Sequence, residues 1–183
     1  MTLLSRPALI VFSGLPGTGK TTVSRALAGR IGALHLRIDI IEQAMRNAGI
    51  ETVGPAGYSV SYAVAGANLQ LGHSVVADCV NPIRESRAAW RETADRAHVP
   101  LIEIELVCSD ALEHRRRVDE RVPDIPGLSY PSWEGIARLH YEPWETDHLV
   151  LDTTILKQAS LIDEAEAYAR LRVREDRDQG QSR

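Results

Sequence analysis

The residues best suited to chemistry stand near the start of the chain. Gly14-Leu15-Pro16-Gly17-Thr18-Gly19-Lys20-Thr21 fits the pattern G-x-x-x-x-G-K-[ST] in full. The glycines let consecutive backbone N–H groups turn inward around a triphosphate with no Cβ in the way. A helix starting at Lys20 would add partial positive charge where the β-phosphate lies. Lys20 can reach the β/γ oxygens, the Thr21 hydroxyl can complete the coordination of Mg²⁺, and Thr22 can bond the α-phosphate.

Two further groups could act beside such a loop. Asp78 closes the apolar run Ser74–Ala77, and the carboxyl end of a buried strand is where open α/β sheets bind ligands. It is the expected holder of Mg²⁺, and Asn81 follows three residues later. The segment His114-Arg115-Arg116-Arg117-Val118-Asp119-Glu120-Arg121 concentrates cations. Arg117 and Arg121, four apart, share one helical face and would neutralise a transferring phosphoryl group. Arg116 stays a candidate within one residue of register. The alternative is a solvated helix with Glu113, Asp119 and Glu120 as internal partners.

Positioning these groups requires alternating strands and helices, hence a mainly parallel sheet. Strands are expected at 7–13, 34–38, 74–78, 101–107 and 148–152, with helices at about 20–31, 40–48, 58–71, 84–98, 110–122 and 160–174. Glu103 and Glu105 alternate with apolar residues, which suggests a half-covered strand near a sheet edge. Residues 129–147 read as irregular and aromatic; Tyr130, Trp133, Tyr141 and Trp144 could wall an acceptor pocket, though pinning a loop is the default. Arg84 and Arg87 could meet an anionic acceptor, and solvent is the favoured reading.

The 183 residues fit one domain over about 1–175, with a polar, disordered tail at 176–183. A net charge of −4 offers no basic field for a nucleic-acid backbone. No signal peptide, membrane span or zinc spacing is read, and Cys79 and Cys108 suit buried thiols, so a cytoplasmic protein is expected. The chain has no Asn-Lys-x-Asp guanine-reading element. Asp78 is followed by Cys79 rather than by the glutamate with which a motor ATPase polarises water.

Across nearly its whole length the sequence resembles the P-loop kinase group that includes polynucleotide 5′-hydroxyl kinases, chloramphenicol phosphotransferase and zeta-toxin-like kinases, many of whose relatives carry only an AAA-type ATPase label. The resemblance rests on the loop, on Arg37-Ile38-Asp39, on Val76-Ala77-Asp78-Cys79-Val80-Asn81, on the arginine-rich segment, on Pro131–Glu134 and Tyr141–Trp144, and on Leu151-Asp152-Thr153. It implies that Asp39 is the general base facing an acceptor hydroxyl, with helix N-capping as its alternative role. It also implies that the Thr153 loop holds the adenine edge and that 110–128 forms a lid.

The expectation is a three-layer α/β P-loop kinase fold with five parallel strands ordered 2-3-1-4-5 and an Arg-rich helical lid. Its cofactors are ATP and Mg²⁺, and its substrate is a small hydroxylated acceptor. The alternatives are a nucleotide switch or weak ATPase without acceptor, a polynucleotide end kinase, and a zeta-toxin-like kinase.

Overall fold

A computed structural model of the chain describes residues 3–181. Five strands, β1 (Leu9–Ser13), β2 (Leu34–Arg37), β3 (Val75–Asp78), β4 (Leu101–Val107) and β5 (Leu149–Asp152), form one parallel sheet in the order β2-β3-β1-β4-β5. This is the expected order. In β1 every residue is buried, as a central parallel strand covered on both faces must be. Ile10 pairs with Val76 on one side and with Ile102 on the other.

Among the described residues seven helices accompany the sheet: α1 (Lys20–Ile31), α2 (Ile38–Asn47), α3 (Ala56–Gln70), α4 (Arg84–Ala97), α5 (Ala111–Asp119), α6 (Trp133–Ala137) and α7 (Gln158–Gln181). Successive β1 side chains point to opposite faces. Ile10 and Phe12 pack with Val23, Leu27 and Ile31 of α1 and with Leu161, Ala165 and Ala169 of α7. Leu9 and Val11 pack with Ala65 and Leu69 of α3 and with Trp90 of α4. Trp90, fully buried, meets the edge of the Tyr62 ring at 4.6 Å.

Four expectations change. β4 lies next to the edge strand β5, as the expected order has it, but it is not half-covered. Its glutamates are covered by the chain returning after α6: Glu103 accepts from Arg91 and Thr146, and Glu105 accepts from Tyr141 and lies 3.3 Å from His148. α2 begins at Ile38 with Arg37 as its N-cap residue, so Asp39 sits in the first turn and not at the cap. The polar stretch from Asp176 continues α7 to Gln181, with Asp176 paired to Arg6 at 2.7 Å; residues 182 and 183 lie outside the described residues. Cys79 is buried as expected, but Cys108 is only half-buried, beside the Thr154 hydroxyl. Among the described residues no helix is long and apolar enough to cross a membrane.

Candidate functional site

The turn from β1 into α1 can form only with glycine at its tight points. Gly14 has φ +133°, and a Cβ there would stand 2.2 Å from the Leu106 carbonyl oxygen. Gly17 has φ +87°, and its Cβ would meet Val118 at 2.6 Å. Thr18 Oγ1 and Lys20 Nζ both donate to Leu15 O, at 2.9 and 2.8 Å. No acidic residue occupies the first turn of α1, which leaves its N-terminal N–H groups for an anion. Burial pulls the Lys20 ammonium below its usual 10.5, against the opposing charges of Asp78 and Asp39. A phosphate arriving at Lys20 would restore what burial removes.

A cavity of about 650 Å³ opens in front of the loop. One wall carries Pro16, Gly17 and Gly19–Thr22, with Asp78 behind them and Arg117 and Arg121 above. Asp39, Glu42, Gln43 and Arg46, on one face of α2, form the opposite wall, and Gly127–Pro131 and Leu139 close it. Of the remaining loop residues singled out in the sequence, Gly14, Leu15 and Thr18 shape the turn and do not line the cavity.

Asp78 is buried at the β3 terminus, and its Oδ2 has no hydrogen-bond partner in the chain. Arg37 Nε lies 3.8 Å and His35 Nε2 3.9 Å from that oxygen. A buried carboxylate oxygen left without a donor, beside the Thr21 hydroxyl on the same cavity, suits Mg²⁺. Among the described residues no group of three or more His, Cys, Asp or Glu could hold a metal by itself. The donor set therefore fits an ion that takes most of its oxygens from phosphates and water, rather than one caged by protein.

Asp110 caps α5 by accepting from the Leu112 and Glu113 amides. The helix rests on the phosphate loop, with His114 Nε2 2.8 Å from Pro16 O and the Trp133 edge against the imidazole. Its rotation separates the three candidate arginines. Arg117 lines the cavity, donating to Glu113, to Thr153 Oγ1 at 2.7 Å and to Thr153 O at 3.1 Å. Thr153 is itself outside the cavity lining; its hydroxyl accepts from this arginine and donates to Val107 O at 3.1 Å. Arg121 lines the cavity with its guanidinium 3.5 Å over the Tyr130 ring, and among the described residues it has no carboxylate partner. Arg116 faces away, held between Glu113 and Glu120.

Asp39 projects into the cavity with 42% of its side chain exposed and accepts from Arg37 Nε and Nη2 at 3.2 and 3.1 Å. Asn81 does not reach the site. It is buried with φ +51°, donates to Ser13 Oγ and accepts from Ser86 Oγ, which ties the end of β3 to β1 and α4. Arg87, read as solvent-facing, is buried: it donates to the carbonyls of Asn81, Pro82, Glu142 and Pro143 and lies 4.1 Å over the Trp144 ring. Tyr141 and Trp144 therefore pin the return segment, as the default had it, whereas Tyr130 reaches the cavity. Arg84 is exposed beside Glu142 and Glu145.

Sequence reasoning missed Glu42, Gln43 and Arg46. Their spacing of three, four and seven from Asp39 is the helical-face signal that would have found them. Arg37 was noted without a role. A lone arginine ending a strand two residues before Asp39 was the available sign.

The fold is that of the P-loop kinases. The chain belongs to the AAA domain family, whose model matches residues 9–126, more than half of its length. Among curated proteins it is 28% identical over 158 residues to an uncharacterized protein of Mycobacterium tuberculosis H37Rv, covering 78% of this chain and 31% of that protein. The chain thus spans about a third of the length of the curated relatives it matches. A gluconokinase from Sinorhizobium meliloti superposes with a TM-score of 0.64 at 24% identity over 97% of this chain and 98% of that one. The Mycobacterium tuberculosis APS kinase CysC in complex with AMPPNP and APS gives 0.60 at 20% over 91% and 97%. Chaetomium thermophilum Kti12 in complex with ADP-AlF3 gives 0.69 at 20% over 90% and 98%.

Proposed function

We propose that this protein is an ATP- and Mg²⁺-dependent phosphotransferase that moves the γ-phosphate to a hydroxyl of a small molecule. The observation that carries the reading is the two-walled cavity. The phosphate loop, Arg117 and Arg121 stand on one side, the Asp39 carboxylate stands on the other, and further polar and apolar wall continues beyond Asp39. A pure hydrolase needs room only for water, whereas this cavity extends along α2 past the reacting position. The solved gluconokinase and APS kinase share the fold, which agrees with a small acceptor.

In this reading the loop N–H groups and Lys20 hold the β- and γ-phosphates, and Thr153 orients Arg117. Arg117 and Arg121 offset charge on the transferring group. Asp39 aligns the acceptor hydroxyl and takes its proton. Mg²⁺ held beside Thr21 and Asp78 would supply charge neutralisation across the phosphates. The switch or weak-ATPase reading lacks a water-polarising group where a motor enzyme has one. Cys79 follows Asp78, is buried, and has its thiol pushed well above the usual range chiefly by burial.

The test is ATP turnover against nucleosides, sugars, sugar acids, aminoglycosides, chloramphenicol and 5′-hydroxyl oligonucleotides, with Asp39→Asn as control. Phosphate appearing on one acceptor, lost in Asp39→Asn while ATP binding persists, is the expected result. Hydrolysis with no modified acceptor, unchanged in Asp39→Asn, would instead favour the switch.

A further inference from the structure

Arg37 and Arg87 are both buried arginines, and they are satisfied in different ways. Arg87 donates only to backbone carbonyls, the pattern of a guanidinium that closes a fold. The Arg37 side chain is 1% exposed, and each of its hydrogen bonds goes to another side chain. Nε and Nη2 hold Asp39 Oδ2. Nη1 holds Asp124 Oδ2 at 2.7 Å, and Nη2 also donates to the Tyr130 hydroxyl at 3.2 Å. That hydroxyl donates in turn to Asp124 Oδ1 at 2.7 Å, which closes a ring of contacts.

The partners lie on different parts of the chain. Asp39 is in the first turn of α2, on the cavity wall. Asp124 and Tyr130 belong to the stretch joining α5 to α6, and Asp124 does not line the cavity. One planar fork thus grips Asp39 along one edge and Asp124 from the other, so the position of either carboxylate fixes the other. Burial opposes the guanidinium charge, but the Asp124 and Tyr130 hydrogen bonds and the Asp39 charge outweigh it and raise its affinity for the proton. Arg37 is therefore a fixed cation hydrogen-bonded to two carboxylates that are both more than 40% exposed, with the buried Asp78 carboxylate 3.8 Å from its Nε.

We infer that Arg37 is a positioning residue that fastens the Asp39 carboxylate to the α5–α6 segment, so that Asp39 holds its working geometry only while that segment is seated. The inference rests on Asp39 aligning the acceptor. It makes Asp124, which touches neither cavity nor loop, a control point for transfer.

Because Arg37→Ala can fail to fold, the principal variant is Asp124→Asn, whose carboxylate is at the surface. Hydrogen exchange is followed on the full chain with Mg²⁺ and a non-hydrolysable ATP analogue. Asp124 Oδ2 also accepts from Arg25 of α1 at 3.2 Å, so the reference is the central strand: Asp124→Asn should speed exchange at least tenfold both in 120–131 and in the first turn of α2, leaving 9–13 within twofold. Faster exchange in 120–131 alone, or in neither, overturns the coupling.

With an acceptor in hand, Asp124→Asn should lower kcat at least tenfold while KM for ATP stays within threefold. The same change should cost nothing further in Asp39→Asn; multiplying losses would mean that Asp124 acts by another route. Arg37→Lys, which can meet one carboxylate but not both, should free one of the two segments and hold the other. If the wild-type protein phosphorylates no acceptor, the kinase reading fails, yet the exchange experiment still decides whether Arg37 couples the two segments.

Discussion

Replacing Gly17 by alanine probes how firmly α5 rests on the phosphate loop. Two separable costs arise. At φ +87° an L residue is disfavoured by about 1–2 kcal/mol. The new Cβ would also lie 2.6 Å from Val118 Cγ2, more than 1 Å inside the usual carbon–carbon separation of about 3.8 Å, with His114 at 3.3 Å behind it. Valine is branched at Cβ and cannot swing its methyl away without meeting its own helix, so about 1–3 kcal/mol of overpacking adds to the backbone term. The empty loop can relax away from both costs, but restoring its shape around phosphates brings them back. ATP affinity should therefore fall by about 2–5 kcal/mol, between roughly 30-fold and a few thousand-fold. Val118→Ala removes the clashing methyl and leaves the backbone cost. The double variant should recover about tenfold in affinity over Gly17→Ala, measured by calorimetric titration with a non-hydrolysable analogue. A double variant that binds no more tightly than Gly17→Ala would show that α5 yields freely and that the contact has no mechanical consequence.

Other outcomes follow from the same contacts. Arg87→Ala leaves the Asn81, Glu142 and Pro143 carbonyls without their donor, Pro82 O keeping the Glu142 amide, and removes a cation from the Trp144 face, so urea unfolding should show a loss of about 3–4 kcal/mol, whereas exposed Arg84→Ala should stay within about 0.5 kcal/mol. Arg117→Ala should reduce turnover by about tenfold or more, and Arg116→Ala, which removes a solvent-side pair, should leave it within about twofold. Stability should fall with acid in two stages. Burial holds His35 below its usual 6.5, Asp78 pulling upward and Arg25 and Arg37 downward, so the unfolded chain takes up that proton first. His35's contribution is thus complete above about pH 6.5 and declines below it. Arg37 holds the Asp124 carboxyl far below its usual 3.8, so that contribution is present above about pH 4 and fades only beneath it. In urea titrations across pH, His35→Gln should flatten the upper stage and Asp124→Asn the lower; the reverse assignment would contradict both.

What the sequence made legible was local. The loop pattern, its preceding apolar strand and its following helix are contiguous, so strand β1 and helix α1 fall where expected. Several misreadings share one cause: partners distant along the chain. Glu103 and Glu105 alternate with apolar residues as a half-covered strand would, and the chain returning through Tyr141, Thr146 and His148 covers them together with Arg91. Arg87 stands in the first turn of a charged helix, and two of its carbonyl partners lie 55 and 56 residues away. The choice between Arg116 and Arg117 turns on how α5 is rotated against Thr153, which lies 36 residues beyond Arg117. Glu42, Gln43 and Arg46 were within reach, because their spacing from Asp39 requires only a helix.

The placement of Asp39 gives the Arg37 contacts their physical sense. The phosphate loop grows from β1, which has hydrogen-bonded neighbours on both sides and buried faces above and below, so its geometry is fixed by the sheet. Asp39 follows β2, an edge strand paired only with β3, and its helix α2 has one side open to the cavity. If Asp39 aligns an acceptor as proposed, an edge strand of four residues gives it less restraint than in-line transfer needs, where a 1 Å displacement can cost about 100-fold. The missing constraint must come from outside the sheet. Arg37, the last residue of that edge strand, supplies it by reaching across to Asp124 and Tyr130. Under the proposed phosphotransfer, release of that segment would let an acceptor enter, and its seating would tie the reactive arrangement to a site from which water is kept once the acceptor is in place.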